Sequence, residues 1–236
     1  MTVATFHALV FWFPAFLFSS TVHEAAHAWA ALRGGDDTAA RGGQVSLSPW
    51  PQIKRAPFGM LIVPLITSFT QGWTLGWASA PYDPEWAERH PRRAALMAAA
   101  GPTGNLLIAA AAFALMRLGL VLGLFAAPAQ VTLDCLVEPA VAAGPASVAA
   151  FAATGLSVLL TLNVLLAAFN LLPLPPLDGA QVITLGLPAR AASRVRALAA
   201  APGMGFVGLL AAWRFFPMLS EPVFRMLVGM LHPGLY

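Results

Sequence analysis

His23-Glu24-Ala25-Ala26-His27 decides how this chain is read, because it lies near the end of an apolar stretch spanning residues 4–32. On a helix, positions i and i+4 share a face, so both imidazoles point to one spot. That spacing suits two neutral histidine nitrogens binding one Zn²⁺, with Glu24 beside them as a base for water. In a soluble chain the pattern would suggest an ordinary zinc hydrolase. Here the stretch is long enough to cross a bilayer, and ionisable groups at that depth are costly and therefore functional candidates.

The rest of the composition agrees with a membrane setting. Of 236 residues, 58% are hydrophobic and 10% charged, and the mean hydropathy is +0.73. Soluble domains carry about 25% charged residues. The expectation is an all-α integral membrane protein, a polytopic helical bundle; the alternating pattern of a β-barrel is missing. Residues 1–236 read as a single membrane-embedded domain, with a core of about 4–187 and an extra span or interfacial helix at about 203–232. The net charge of +3 does not indicate nucleic-acid binding, because the thirteen Lys and Arg are scattered among loops and form no basic face. One cysteine, Cys135, excludes an intramolecular disulfide framework and a cysteine zinc site. No Lys or Arg precedes Arg33, so the n-region of a cleavable signal peptide is lacking and the first segment is expected to stay as a helix.

A helical span needs about 20 apolar residues. Stretches 4–32, 94–127, 147–168 and 203–231 qualify. Stretch 58–80 is ambiguous, since it holds Pro64, Thr67, Ser68, Thr70, Gln71, Gly72 and Gly76. Charge helps to interpret it. Arg33, Arg41, Lys54 and Arg55 lie in 33–57; Arg89, Arg92 and Arg93 in 81–93; Arg190, Arg194 and Arg196 in 188–200. The connection 126–147 has Asp134 and Glu138 but no Lys or Arg. If 58–80 dips in and returns, all three basic segments are cytoplasmic and 126–147 is outside, as the positive-inside rule favours. A re-entrant or short β-containing segment near the active site is therefore expected, in a multi-pass protein of a bacterial-type cell membrane.

This topology puts three polar clusters at matching depth. His23–His27 lies roughly 12 Å from the cytoplasmic end of its helix, Gly101-Pro102-Thr103-Gly104-Asn105 roughly 15 Å in, and Asp178 roughly 18 Å before Arg190 if helical, at 1.5 Å per residue. Two histidines leave a catalytic zinc site one protein ligand short. Asp178 is the best third candidate. It closes Asn170-Leu171-Leu172-Pro173-Leu174-Pro175-Pro176-Leu177-Asp178-Gly179, where three prolines break an apolar run and Gly179 permits an unusual backbone angle. Asn170 and Asn105 are neutral donors at the same depth, able to hold an oxyanion or substrate carbonyl, or to make an interhelical hydrogen bond. His7, His90 and His232 are expected to be interfacial or solvated.

These motifs together resemble the site-2 protease family of intramembrane zinc metalloproteases. The likeness rests on His23-Glu24-Ala25-Ala26-His27, Ala100-Gly101-Pro102-Thr103-Gly104-Asn105, and Asn170-Leu171-Leu172-Pro173 through Leu177-Asp178-Gly179, with a weaker match at Gly35-Asp36-Asp37-Thr38-Ala39-Ala40-Arg41 and Gly76-Trp77-Ala78. It covers roughly residues 15–185. The resemblance implies one Zn²⁺ on His23, His27 and Asp178, Glu24 as general base, and Asn170 holding substrate. It implies a membrane-protein substrate, expected to have a single span and to be cut within or beside it. No insertion has the size of a PDZ domain. The substrate, once unwound, could pair with 58–80 or with an extended strand within 44–49. Two alternatives are a zinc-binding membrane sensor or chaperone without proteolysis, which would not need Glu24, and a metal transporter, which would need a path of several carboxylates or histidines.

Overall fold

The computed structural model describes residues 2–72, 74–141 and 147–234; part of the connection expected outside, 142–146, lies beyond them. Among the described residues, three helices are long and apolar enough to cross a bilayer: a first long helix Thr5–Gly34, a second Pro91–Val121 and a third Val148–Asn170. Residues 203–231 form the expected C-terminal helix. Met204–Leu231 is one continuous helix, but it qualifies as a span only jointly with Ala189–Ala199, from which it bends by 96°. The molecule is a polytopic helical membrane protein.

Small residues let these helices approach. The second long helix buries Ala94, Ala98, Gly101, Gly104, Ala109 and Ala112 along its length. A Cβ on Gly104 would lie 3.4 Å from Val22 Cγ1 and 3.5 Å from Ala26 Cβ, so the first and second helices meet in van der Waals contact. One apolar cluster, around Met116, Leu136, Leu160 and Leu231, ties the second, third and C-terminal helices together. Another joins Trp12 and Phe16 to Met60, Val158 and Leu162. Many large apolar side chains point outward instead; Leu107, Val121 and Trp213 are each more than 60% exposed. In water such surface would associate; against acyl chains it is the expected lining.

The ambiguous stretch doubles back on itself. Phe58–Gln71 is helical, Gly72 turns the chain at φ 74°, and the return segment is not helical. The Trp77 amide donates to Gly59 O at 3.0 Å, and Leu75 exchanges hydrogen bonds with the Thr67 hydroxyl. The approach is close: a Cβ on Gly59 would sit 2.2 Å from Trp77 O, and one on Gly76 would sit 2.3 Å from Gly59 O. Both ends of the hairpin therefore lie side by side. The strand suggested within 44–49 is not formed; those residues are irregular. The two-stranded antiparallel sheet, Phe125–Ala126 with Glu138–Pro139, belongs to the connection between the second and third helices.

The bundle has two chemically distinct ends. At one, the Arg93 guanidinium and the Trp86 indole both donate to Gly34 O, at 3.1 and 3.0 Å. Beside them Asp36 is buried, accepting from the Thr38 amide and hydroxyl and from the Asp83 amide. Burial would raise the Asp36 pKa, but those bonds and nearby Arg41 outweigh it and hold the carboxyl below the usual range. Segments 33–57 and 81–93 are thus stapled together. Residues of Ala189–Ala199 line the same cavity as Tyr82 and Glu88, so all three basic segments share this end.

At the other end, His7 lies 3.6 Å from Asp134, and Arg117 donates to Leu231 O at 2.8 Å. His232, expected to be solvated, is buried with its ring Nε2 2.7 Å from Leu136 O. In the second half of the C-terminal helix, Glu221 and Arg225 form an exposed i,i+4 ion pair.

Candidate metal centre and catalytic cavity

Ser19, His23 and His27 form an i,i+4 stripe buried on the first long helix. Opposite them, Gly101 supplies the room. A Cβ there would lie 2.3 Å from His27 Nε2 and 2.6 Å from His23 Nε2. The second helix therefore passes both imidazoles at a distance no other residue permits.

The ring orientations are fixed from behind. His27 Nδ1 is 2.7 Å from Met97 O, a pure acceptor, so this nitrogen carries the proton. His23 Nδ1 is 2.6 Å from Asn105 Oδ1. The amide orientations follow from backbone carbonyls that can only accept: Asn105 Nδ2 donates to Ser19 O and to Asn163 Oδ1, while Asn163 Nδ2 donates to Leu159 O and the Ser19 hydroxyl. Asn105 Oδ1 therefore faces His23 and accepts. With both Nδ1 atoms protonated, neutral imidazoles present lone pairs at Nε2.

Those two Nε2 atoms are 2.9 Å apart, and Asp178 Oδ2 lies 3.2 Å from His23 Nε2 and 3.3 Å from His27 Nε2. This oxygen is buried and satisfies the geometry of no hydrogen bond. Two imidazole nitrogens and one carboxylate oxygen thus converge, all three acceptors when the imidazoles are neutral. The three ligand atoms lie within 4.8 Å of one another. Such an arrangement is repulsive alone and suits a cation, and two imidazoles with one carboxylate are a zinc donor set.

Asp178 gets there through the proline-broken turn. After Asn170 the chain folds tightly, with Leu174 N bonded to Leu172 O and Leu177 N to Leu174 O. Gly179 is required, but its φ is not positive. A Cβ would fall 2.2 Å from Leu172 O and 2.3 Å from Leu171 O, so close packing accounts for the glycine and the expected special backbone angle does not. Asp178 is also not on one helix leading to Arg190; a short turn, Gly179–Val182, and a 3₁₀ segment, Ile183–Gly186, intervene. The C-terminal helix buttresses the turn: a Cβ on Gly208 would lie 1.8 Å from Pro175 O.

The site opens into a cavity of about 720 Å³. Glu24 is on its wall, with no hydrogen-bond partner among the described residues. Asn170 lines it too, with Nδ2 donating to Leu166 O at 3.0 Å, which leaves its second amide proton and its oxygen unengaged. Asn105 does not line the cavity. It is fully buried behind His23 and bonded to His23, Ser19 and Asn163, the interhelical one of the two uses open to it. The far wall is the hairpin's return segment, including Ala78, Ser79 and Ala80.

Sequence reasoning missed several residues. Asn163 sits seven positions before Asn170, two turns along an apolar helix, and Ser19 four before His23; those spacings were the available signal. Gln44 and Arg55 both donate to Ser79 O, at 3.3 and 3.1 Å, bracing the cavity wall; nothing local in the sequence marks that pairing.

Comparison with known proteins agrees with the geometry. The model of Peptidase family M50 matches residues 11–212. A Bacillus subtilis (strain 168) protein named "Putative zinc metalloprotease YwhC" is 35% identical over 170 residues, covering 70% of this chain and 64% of that protein. No solved structure matches the chain. The chain belongs to peptidase family M50.

Proposed function

We propose that the chain is an intramembrane zinc metalloprotease that hydrolyses peptide bonds within or next to a membrane span of its substrate. The observation that carries this reading is the convergence of His23, His27 and Asp178 beside an unpaired Glu24, inside a bundle of span-length helices. His23 Nε2, His27 Nε2 and an Asp178 oxygen would hold one zinc ion. When bound, zinc supplies Lewis acidity, polarising oxygen and making hydroxide accessible near neutral pH. Glu24 accepts the proton of the attacking water and returns it to the leaving amine. The free amide proton of Asn170 binds the substrate carbonyl. A binding-only sensor or chaperone would have no use for Glu24. Residues 1–236 act as one membrane-embedded unit, and the basic end with its cavity faces the cytoplasm of a bacterial-type cell.

The return segment gives the substrate a backbone to pair with. Backbone groups of Leu75, Trp77 and Ser79 are bonded toward the hairpin and its braces. In extended chain, successive residues point to opposite edges. Gly76, Ala78 and Ala80 have no hydrogen-bond partners among the described residues, and the last two line the cavity. An unwound substrate adds there as a strand.

The test is cleavage of single-span proteins by the purified chain in proteoliposomes. Products cut inside or near the cytoplasmic edge of the span are expected, faster with Gly or Pro near the cut and slower with a poly-Leu span. Cleavage confined to water-soluble peptides would rule out the intramembrane assignment.

Asn105 is a positioning residue in this scheme. Asn105→Ala should weaken zinc affinity about 10- to 100-fold, the usual cost of losing a partner behind a ligand. Competition with a chromogenic chelator measures it. An unchanged zinc constant in a helical, folded variant would remove Asn105 from the site.

A further inference from the structure

A second cleft, of about 540 Å³, shares Met97 with the first and lies between the first and second long helices at the basic end of the bundle. Two helical stripes form it: Trp29, Ala30 and Arg33 from one helix, Arg93, Leu96 and Ala100 from the other. Ala30 and Ala100 are small, leaving an apolar trough walled by Trp29 and Leu96, both more than half exposed. The two arginines line it as well. Arg33 lies over the Trp29 ring at 5.8 Å, and Arg93 spends one nitrogen on Gly34 O. Neither has a carboxylate within salt-bridge distance among the described residues. The acids nearest Arg33 in sequence are already occupied, Asp36 by Thr38 and Asp83, Asp37 by Arg41.

Two uncompensated guanidinium groups above an apolar trough, where two spans end, match the chemistry of one molecule: a lipid with an anionic head and a long acyl chain. Basic pockets between spans on the cytoplasmic side bind such heads, and guanidinium forks suit phosphate oxygens. We propose that this cleft binds one anionic phospholipid, its phosphate between Arg33 and Arg93 and one acyl chain along Ala30, Leu96 and Ala100. The site adjoins the metal centre, because Met97, on the wall shared by both cavities, supplies the carbonyl that orients His27. A bound lipid braces the helix seam at that point. The proposal stands independently of the peptidase reading.

Native mass spectrometry and thermal unfolding of the whole chain in detergent test it, with phosphatidylglycerol, phosphatidylcholine and inorganic phosphate as probes. One phosphatidylglycerol per chain should be retained and raise Tm, while phosphatidylcholine and millimolar phosphate do neither. Each arginine removed should weaken binding about five- to tenfold, so Arg33→Gln with Arg93→Gln abolishes the Tm shift. Arg190→Gln with Arg194→Gln, at the same end of the molecule, should preserve it. Should the first double variant misfold, Ala100→Leu, which fills the trough and leaves both charges, must also lose the lipid. Equal shifts from both lipids, a full shift from inorganic phosphate, or undiminished phosphatidylglycerol affinity in a folded Arg33→Gln, Arg93→Gln or Ala100→Leu protein would each overturn the proposal.

Discussion

Glu24→Gln should stop peptide cleavage while leaving the zinc content at one per chain. The substitution keeps shape and volume and removes the base. Glu24 is not among the three converging ligand atoms and has no hydrogen-bond partner among the described residues, so its loss disturbs neither the metal set nor the packing behind it. General acid–base groups contribute about 10²- to 10⁴-fold. Glu24 serves in both directions of proton transfer here, so the upper end is expected. Turnover of a span-containing substrate and metal analysis of the same preparation check this together. Retained cleavage in the variant would take Glu24 out of the mechanism, and a variant that lost its zinc would make it a structural residue.

A change of one methyl group should be nearly as damaging. Gly101→Ala places a carbon 2.3 Å from His27 Nε2 and 2.6 Å from His23 Nε2. Atoms cannot approach so closely, and both rings are clamped from behind by Met97 and Asn105. The helix itself would gain, since alanine is better than glycine in a helix interior by about 1 kcal/mol. The expected result is therefore a helical, membrane-inserted protein whose zinc affinity has fallen at least about 100-fold, with cleavage lost in parallel. Gly104→Ala is the control. Its new carbon would meet Val22 Cγ1 at 3.4 Å, an ordinary contact, and zinc should stay. Equal zinc occupancy in both variants would show that the first helix shifts freely and that Gly101 is not its spacer.

These two residues also show how far the sequence could be read. Glu24 was legible because its meaning is local: an i,i+4 histidine pair has one geometric consequence on a helix. Asp178 could be paired with it by depth, since helix rise turns residue number into distance. Gly101 stood within a recognised motif, yet its purpose depends on what faces it, and no periodicity reports a neighbouring helix. The same holds for Asn163, Ser19 and the bracing of Ser79 by Gln44 and Arg55, contacts set by tertiary packing. A histidine beyond a span is normally solvated; here the Leu136 carbonyl reaches His232. At Gly179 the sequence suggests a special backbone angle where close packing is the cause, because a glycine looks the same in both roles until its neighbours are known. The hairpin's return was inferable from where the arginines fall, but not which of its edges stays open.

The third carboxylate comes late in the chain. His23 and His27 lie on the first long helix, whereas Asp178 follows the third, and its turn is pressed into place by Gly208 of the last helix. A growing polypeptide therefore carries its histidines and Glu24 through most of its own synthesis with the set incomplete. Metal held by two imidazoles is weakly bound, and the cavity wall opposite has no finished partner. The three-ligand set is therefore complete only once the last helix has docked against the turn that carries Asp178.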